Sequence, residues 1–119
     1  MALTVRVTQD RSFSRTVHLG GRLDNESAPA LERELDTLAG AALDVLVFDL
    51  EQLEYISSAG LRVLLLAAKR LKPPQGALVL CGLGPSVRTV LELAGFMSLF
   101  VVEPGREQAL ALASGASAP

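Results

Sequence analysis

The predicted strands show two kinds of hydrophobic pattern, one near the N-terminus and another further along the chain. Near the N-terminus, apolar and polar residues alternate over 3–8 and again over 15–19, which predicts a hairpin of two half-buried strands with its turn at 10–12. Continuous apolar runs follow later and are typical of strands that are covered on both faces. These further predicted strands, the first of them central in its sheet, lie at 45–48, 77–81 and 100–102.

Helical periodicity fills the intervals between the later strands. Apolar residues recur every three or four positions, in segments bounded by capping residues, prolines and glycines. The predicted helices span about residues 26–39, 58–71, 85–94 and 106–113. Asn25 or Ser27 is expected to cap the first of them, because either side chain can accept a hydrogen bond from an otherwise unpaired backbone N–H.

The order of these elements predicts the fold class. A hairpin followed by alternating strands and helices indicates an α/β fold, with a mixed, mostly parallel sheet of four to five strands and about four packed helices. We expect one domain over residues 1–113 and a disordered tail at 114–119. The loops at 20–27 and 54–60 follow parallel strands, so they should meet at the edge of the sheet where such folds place their sites.

Composition excludes several classes of function. Eleven basic residues stand against thirteen acidic ones, and only 4% of the chain is aromatic, so no nucleic-acid-binding surface is expected. No apolar run approaches the ~20 residues of a membrane span, and the N-terminus does not resemble a secretory signal. The single cysteine, Cys81, favours a reduced, cytoplasmic compartment. With His18 as the only histidine, we expect no metal, no cofactor and no catalytic Cys–His pair.

The segment Ser57-Ser58-Ala59-Gly60 opens the second predicted helix. A serine at this position usually caps the helix, but two adjacent serines cannot both be the N-cap, so one hydroxyl should be exposed. Gly60 is expected to leave room for a partner's backbone or a phosphate. A phosphoryl group here would meet backbone N–H donors and the positive end of the helix dipole, which suits a phosphoserine.

Several short motifs occur together in one order. They are Gly21-Arg22-Leu23-Asp24, Ser27-Ala28, Asp49-Leu50, Tyr55 to Leu61, Gly84 to Val87, Gly95-Phe96 with Phe100, and Glu107-Ala109-Leu110. In this arrangement the chain resembles the STAS domain, and specifically the single-domain anti-sigma factor antagonists of bacteria. The resemblance covers about residues 3–112, which is nearly the whole chain.

This resemblance implies partner switching. An unphosphorylated antagonist of that family binds an anti-sigma factor that is also a serine kinase, and so frees the sigma factor. The kinase phosphorylates the serine two residues before the motif glycine, which is Ser58 here, and a PP2C-type phosphatase reverses the modification. Many family members have an aspartate directly before that serine, whereas this chain has Ser57, which becomes the second candidate acceptor.

The same resemblance and the helical periodicity predict a partner surface. Asp24, in the Gly-x-Leu-Asp loop, falls near the phosphorylation loop in the family. Arg62 and Leu66 share the non-core face of the second helix, although a single exposed leucine is ordinary on any protein surface. The predicted partner-binding residues are therefore Asp24, Ser57, Ser58, Gly60, Arg62 and Leu66.

Two other functions compete with this one. The same fold could serve as an accessory STAS subunit of a transporter or of a stressosome-like signalling complex. A serine hydrolase built on Ser58 would need a base within about 3 Å of the hydroxyl, whereas His18 lies on a distant predicted strand. We therefore expect a binding protein and not an enzyme.

Overall fold

The computed structural model describes residues 3–11, 14–39, 45–70 and 77–110. In this part of the chain, five strands form one sheet, with helices between the later strands. The elements are β1 (Thr4–Arg11), β2 (Ser14–Leu23), α1 (Ala28–Ala39), β3 (Val45–Ile56), α2 (Ser58–Arg70), β4 (Ala77–Cys81), α3 (Pro85–Leu93), a 3-10 turn (Met97–Leu99) and β5 (Val101–Glu103). Residues 106–110 are also helical.

The strands lie side by side in chain order, from β1 to β5. β1 pairs with β2 in antiparallel fashion, and every later pair is parallel. The predicted α/β class and mixed sheet are confirmed. β3 is the middle strand, as its continuous apolar start predicts, and residues 45–48 are all buried.

β1 extends further along the chain than the sequence predicts. Asp10 and Arg11 belong to β1, and the strand pairing runs on to Arg11 opposite Ser14. The pairing shifts register between Gln9 and Arg11, so one extra residue is taken up inside the strand. The predicted turn at 10–12 is therefore wrong for Asp10 and Arg11, and residue 12 lies outside the described residues.

β2 and β3 are also longer than their apolar patterns suggest. β2 does not end at Leu19 but continues through Gly20 and Gly21, and Gly21 adopts a positive φ of 86°. Two register shifts between β2 and β3 accompany this stretch. A glycine accepts such a backbone conformation without strain, so the glycines that should interrupt the strand instead let it bend and carry on to Leu23.

The main core lies between one face of the sheet and helices α1, α2 and α3. The helical periodicity of the first helix predicts an apolar stripe of Ala28, Leu31, Leu35 and Leu38, and the first three of these are buried in α1. For α2 it predicts Leu61, Leu64, Leu65, Ala68 and Leu71, whereas the residues buried there are Gly60, Leu61, Val63, Leu64 and Ala67. α2 packs with this face against α1, β3 and β4.

The opposite face of the sheet carries a second, smaller core of Val45, Val47, Val79, Cys81 and Ala109. Ala109 belongs to the helical segment 106–110 and covers the strands from that side. The remainder of the fourth predicted helix and the predicted tail lie outside the described residues. Among the described helices, none has both the length and the apolar content that a membrane crossing demands.

Candidate functional site

The two serines at the start of α2 have different environments. The Ser57 carbonyl accepts a hydrogen bond from the Leu61 N–H at 2.9 Å, and its hydroxyl accepts one from the Gly60 N–H at 3.2 Å. These are the two bonds of an N-cap residue. Ser58 is the first residue of α2 and is exposed. The expectation that one of the two hydroxyls caps the helix and the other is exposed is confirmed.

The end of β2 fixes the position of this cap. The Ser57 N–H donates to the Leu23 carbonyl at 2.8 Å, and Leu23 lies beside Ile56 in the parallel pairing of β2 with β3. Both Leu23 and Ile56 are buried. Ser58 therefore stands at a helix end that is anchored to the paired ends of β2 and β3.

Gly60 has a different role from the one that the sequence suggests. It is buried, and a Cβ atom placed on it would lie 2.5 Å from Leu23 Cγ and 2.9 Å from the Leu23 carbonyl oxygen. The missing side chain therefore faces the chain's own β2 and leaves no opening for a partner or a phosphate there. Glycine at this position allows α2 to approach β2 closely, so Gly60 acts by positioning the cap and the exposed serine.

Asp24 holds the turn that leads into α1. Its Oδ1 accepts hydrogen bonds from the N–H groups of Glu26 and Ser27, both at 3.1 Å, and its carbonyl accepts from the Ala28 N–H at 2.8 Å. The Ser27 hydroxyl in turn accepts from the Asp24 N–H at 2.9 Å. This reciprocal pair is a capping box. Ser27 directly precedes α1, as predicted for a cap, and its carbonyl accepts from the Leu31 N–H at 3.4 Å. The expected acceptor role of its hydroxyl is different, because that hydroxyl accepts from the Asp24 N–H, and among the described residues it is the Asp24 side chain that accepts from the N–H groups leading into α1.

The charge of Asp24 is favoured by these contacts. The Ser27 N–H, above all, lowers the pKa of the Asp24 carboxyl below its ordinary value of 3.8, and hydrogen bonds from the Ser27 hydroxyl and the Glu26 N–H act in the same direction. Asp24 is thus a carboxylate near neutral pH, and its side chain is 32% exposed. It combines a structural role in the turn with a negative charge at the surface.

Arg22 and Tyr55 form a stacked pair beside this turn. They are direct neighbours in the pairing of β2 with β3, and the Arg22 guanidinium carbon lies 4.1 Å from the centre of the Tyr55 ring. Arg22 Nε lies 3.9 Å from Asp24 Oδ2. One open depression is lined by Arg22, Asp24, Asn25, Glu26, Tyr55 and Ser57. Neither Arg22 nor Tyr55 was expected from the sequence to belong to a site, since their contact depends on strand register.

Arg62 and Leu66 follow Ser58 along α2 at intervals of four residues. Side chains so spaced lie on one face of a helix, one above the other. Arg62 is exposed and Leu66 is partly buried, and neither belongs to the core. The structure therefore brings Ser58, Arg62 and Leu66 into one stripe that starts at the capped end of α2.

His18 lies away from this end of α2. Its neighbours Val17 and Leu19 point into the main core, so the imidazole points to the opposite face of the sheet. There His18 Nδ1 donates to Asp49 Oδ2 at 2.9 Å, and Nε2 lies 3.1 Å from the Thr8 hydroxyl. The pair with Asp49 was not expected from the sequence, because it joins residues 31 positions apart. The imidazole is engaged by Asp49 and Thr8 and not by Ser58.

The STAS domain profile matches residues 4–109. The chain belongs to the STAS domain family. BtrV of Bordetella bronchiseptica, a protein assigned to the anti-sigma factor antagonists, is 50% identical to this STAS protein over 93 residues, which are 78% of this chain and 80% of BtrV. The anti-sigma-B factor antagonist of Listeria monocytogenes is 25% identical over 103 residues, covering 87% of this chain and 90% of the relative.

Solved structures agree with the fold of this STAS protein. An anti-sigma factor antagonist from Mycobacterium paratuberculosis superposes with a TM-score of 0.86 at 27% identity, over 95% of each chain. The unphosphorylated form of the antagonist SpoIIAA superposes with a TM-score of 0.82 at 19% identity, over 94% of this chain and 97% of SpoIIAA. The second likeness concerns the fold alone, and both support the sheet order and helix placement described above.

Proposed function

We propose that this STAS protein is an anti-sigma factor antagonist that acts by partner switching. In its unphosphorylated form it binds an anti-sigma factor that is also a serine kinase, and a sigma factor is released. Phosphorylation of Ser58 ends the binding, and a PP2C-type phosphatase restores it. These events take place in the cytoplasm, where sigma factors act. The similarity to BtrV, at 50% identity, and to named antagonists of other bacteria supports this assignment.

The observation that carries the proposal is the division of roles between the two serines. Ser57 uses its hydroxyl to cap α2, whereas Ser58 is exposed at the first helical position. A kinase can reach Ser58 without unfolding the helix end. Phosphorylation of Ser57 would instead remove the cap, so Ser58 is the acceptor that the fold can tolerate.

A phosphate on Ser58 has opposite effects on the fold and on the complex. It adds about −1.5 to −2 charges. At the helix N-terminus this charge is stabilised by roughly 0.3–1 kcal/mol. In a complex, the same group would be pressed against the partner, and desolvation of an unpaired anion costs several kcal/mol. The loss of binding should therefore far exceed any change in the stability of the free protein.

The remaining predicted contacts surround this serine. Arg62 and Leu66 extend the proposed surface along α2, and Asp24 contributes a carboxylate from the neighbouring turn. Gly60 contributes only through the position of the helix end. We propose no catalytic role for the chain, because its histidine is bonded to Asp49 and Thr8 and is not placed to act as a base for Ser58, which serves as a phosphate acceptor.

Binding and phosphorylation test this function directly. Anti-sigma factors with a kinase-type ATPase domain from the same genome are purified and titrated with the wild-type protein by calorimetry. One of them should bind wild type and Ser58→Ala, and should bind Ser58→Asp at least ~10-fold more weakly. With ATP, mass spectrometry should find one phosphate on wild type and on Ser57→Ala but none on Ser58→Ala. Phosphate on Ser57 alone, or no binding to any such factor, would contradict the proposal.

A further inference from the structure

The stacked pair of Arg22 and Tyr55 lies on the other side of the strand ends from Ser58. Leu23 and Ile56, which follow them in β2 and β3, are buried in the core beneath the helices. Because successive side chains of a strand point to opposite faces, Arg22 and Tyr55 point away from that core. Ser58 begins α2, which packs on the core side.

The guanidinium of Arg22 is held against Tyr55 and is loosely paired with Asp24, and within the described residues it donates no hydrogen bond. The ring of Tyr55 supports its flat face at 4.1 Å, and Asp24 Oδ2 is 3.9 Å from Nε, which is too long for a hydrogen bond. Within the described residues, no acceptor takes any of its N–H groups. The Arg22 side chain is 45% exposed and Tyr55 is 38% exposed. A stacked guanidinium keeps its planar edge available for an oxygen ligand.

A preorganised arginine on an aromatic ring is well suited to protein recognition. Arginine and tyrosine are enriched among the residues that contribute most to binding energy, and a side chain already held in place loses little entropy on binding. The pair also adjoins the proposed switch, since Ser57 and Arg22 line the same depression. A partner that covers Ser58 can therefore reach Arg22 across the ends of β2 and β3.

We propose that Arg22, held by Tyr55, is a second anchor for the anti-sigma factor, and that it binds a carboxylate of that partner. This inference rests on the proposed function and names a contact within it. A carboxylate fits because its two oxygens match two parallel N–H groups of a guanidinium. The partner then contacts both sides of the strand ends, with Ser58 on one side and Arg22 on the other. Phosphorylation acts on the first contact and leaves the second unchanged.

Calorimetric titration of the anti-sigma factor that binds wild type tests the anchor. Arg22→Ala should weaken binding at least ~10-fold. Arg22→Lys should weaken it by an intermediate factor, because lysine keeps the charge and loses the planar fork. Tyr55→Phe should bind as wild type does, since the ring is retained, whereas Tyr55→Ala should approach the loss seen with Arg22→Ala. All four variants should unfold within a few degrees of wild type, because both side chains lie at the surface.

Two further measurements identify the partner group and separate this contact from Ser58. The difference in affinity between wild type and Arg22→Ala should shrink as salt rises from about 0.05 M to about 0.5 M, as it must for a pair of charges. The losses from Arg22→Ala and Ser58→Asp should multiply in the double variant, as for independent sites. A salt-independent difference would exclude a carboxylate.

The two proposals fail in different ways. If Arg22→Ala binds the anti-sigma factor with wild-type affinity while Ser58→Asp still binds it weakly, the second anchor is overturned and the proposed function stands. A wild-type protein that binds no anti-sigma factor would overturn both.

Discussion

Ser57 and Ser58, at the start of α2, should respond in opposite ways to substitution by alanine. Ser57→Ala removes the hydroxyl that accepts from the Gly60 N–H at 3.2 Å, and leaves that donor without its cap. Ser58→Ala removes a hydroxyl that is exposed at the first helical position. We expect Ser57→Ala to lower stability and leave phosphorylation possible, and Ser58→Ala to abolish phosphorylation and leave stability nearly unchanged.

The size of the stability change follows from the single bond involved. Loss of a serine N-cap costs about 1 kcal/mol. An unfolding entropy of about 2.1 cal/mol/K per residue gives about 0.25 kcal/mol/K for a chain of this length, so the melting temperature should fall by about 4 °C. Ser58→Ala should change the free energy of unfolding by less than about 0.5 kcal/mol, as is usual for exposed positions.

Urea unfolding followed by circular dichroism measures these differences. Ser57→Asp is the matched control, because aspartate is also a good N-cap and its charge suits a helix N-terminus. This variant should be at least as stable as wild type. If Ser57→Ala and Ser58→Ala lose the same stability, or if only Ser58→Ala is destabilised, the assignment of cap and exposed serine is wrong.

Three further predictions concern other parts of the molecule. Gly60→Ala should destabilise the protein in urea unfolding, because its Cβ would lie 2.5 Å from Leu23 Cγ. Such overpacking costs about 1–3 kcal/mol, which should outweigh the gain of about 1 kcal/mol in helix propensity. Equal or greater stability would contradict the close approach of α2 to β2. Asp24→Asn should be less stable than wild type above about pH 4, since the lowered pKa of Asp24 means that folding favours its carboxylate. The difference in the free energy of unfolding should vanish as the pH falls through that pKa, and a difference that is independent of pH would contradict this. Cys81 should react with a thiol reagent at pH 8 only after unfolding, because burial, together with the charge of Asp49, raises its pKa to about 12; rapid reaction of the native protein would contradict its burial.

Local sequence pattern determined the type and order of most elements. Period-two alternation, continuous apolar runs and helical stripes are properties of adjacent residues, so they predict the hairpin, the central β3 and the start of α2 at Ser58 correctly. The rule that one residue caps a helix likewise predicts that the two serines differ. The order of the short motifs was enough to point to the STAS family.

Such local patterns did not predict where the strands end. β2 continues through Gly20 and Gly21 because pairing with β1 and β3 supplies hydrogen bonds that outweigh the flexibility of glycine. The turn that leads from Asp24 into α1 depends on the side chains of Asp24 and Ser27, each of which bonds the other's backbone. Neither effect can be deduced from residue types alone.

Contacts between distant residues were decided only by the tertiary structure. The stack of Arg22 on Tyr55 and the bond of His18 to Asp49 both require the register of β2 against β3, which no local pattern specifies. The role of Gly60 became evident only from its close approach to Leu23, which leaves no room for a side chain. The sequence alone thus identified the family of the chain and the helix that carries the exposed serine. The residues that position and flank that serine were identified only by the packing of the strands and α2.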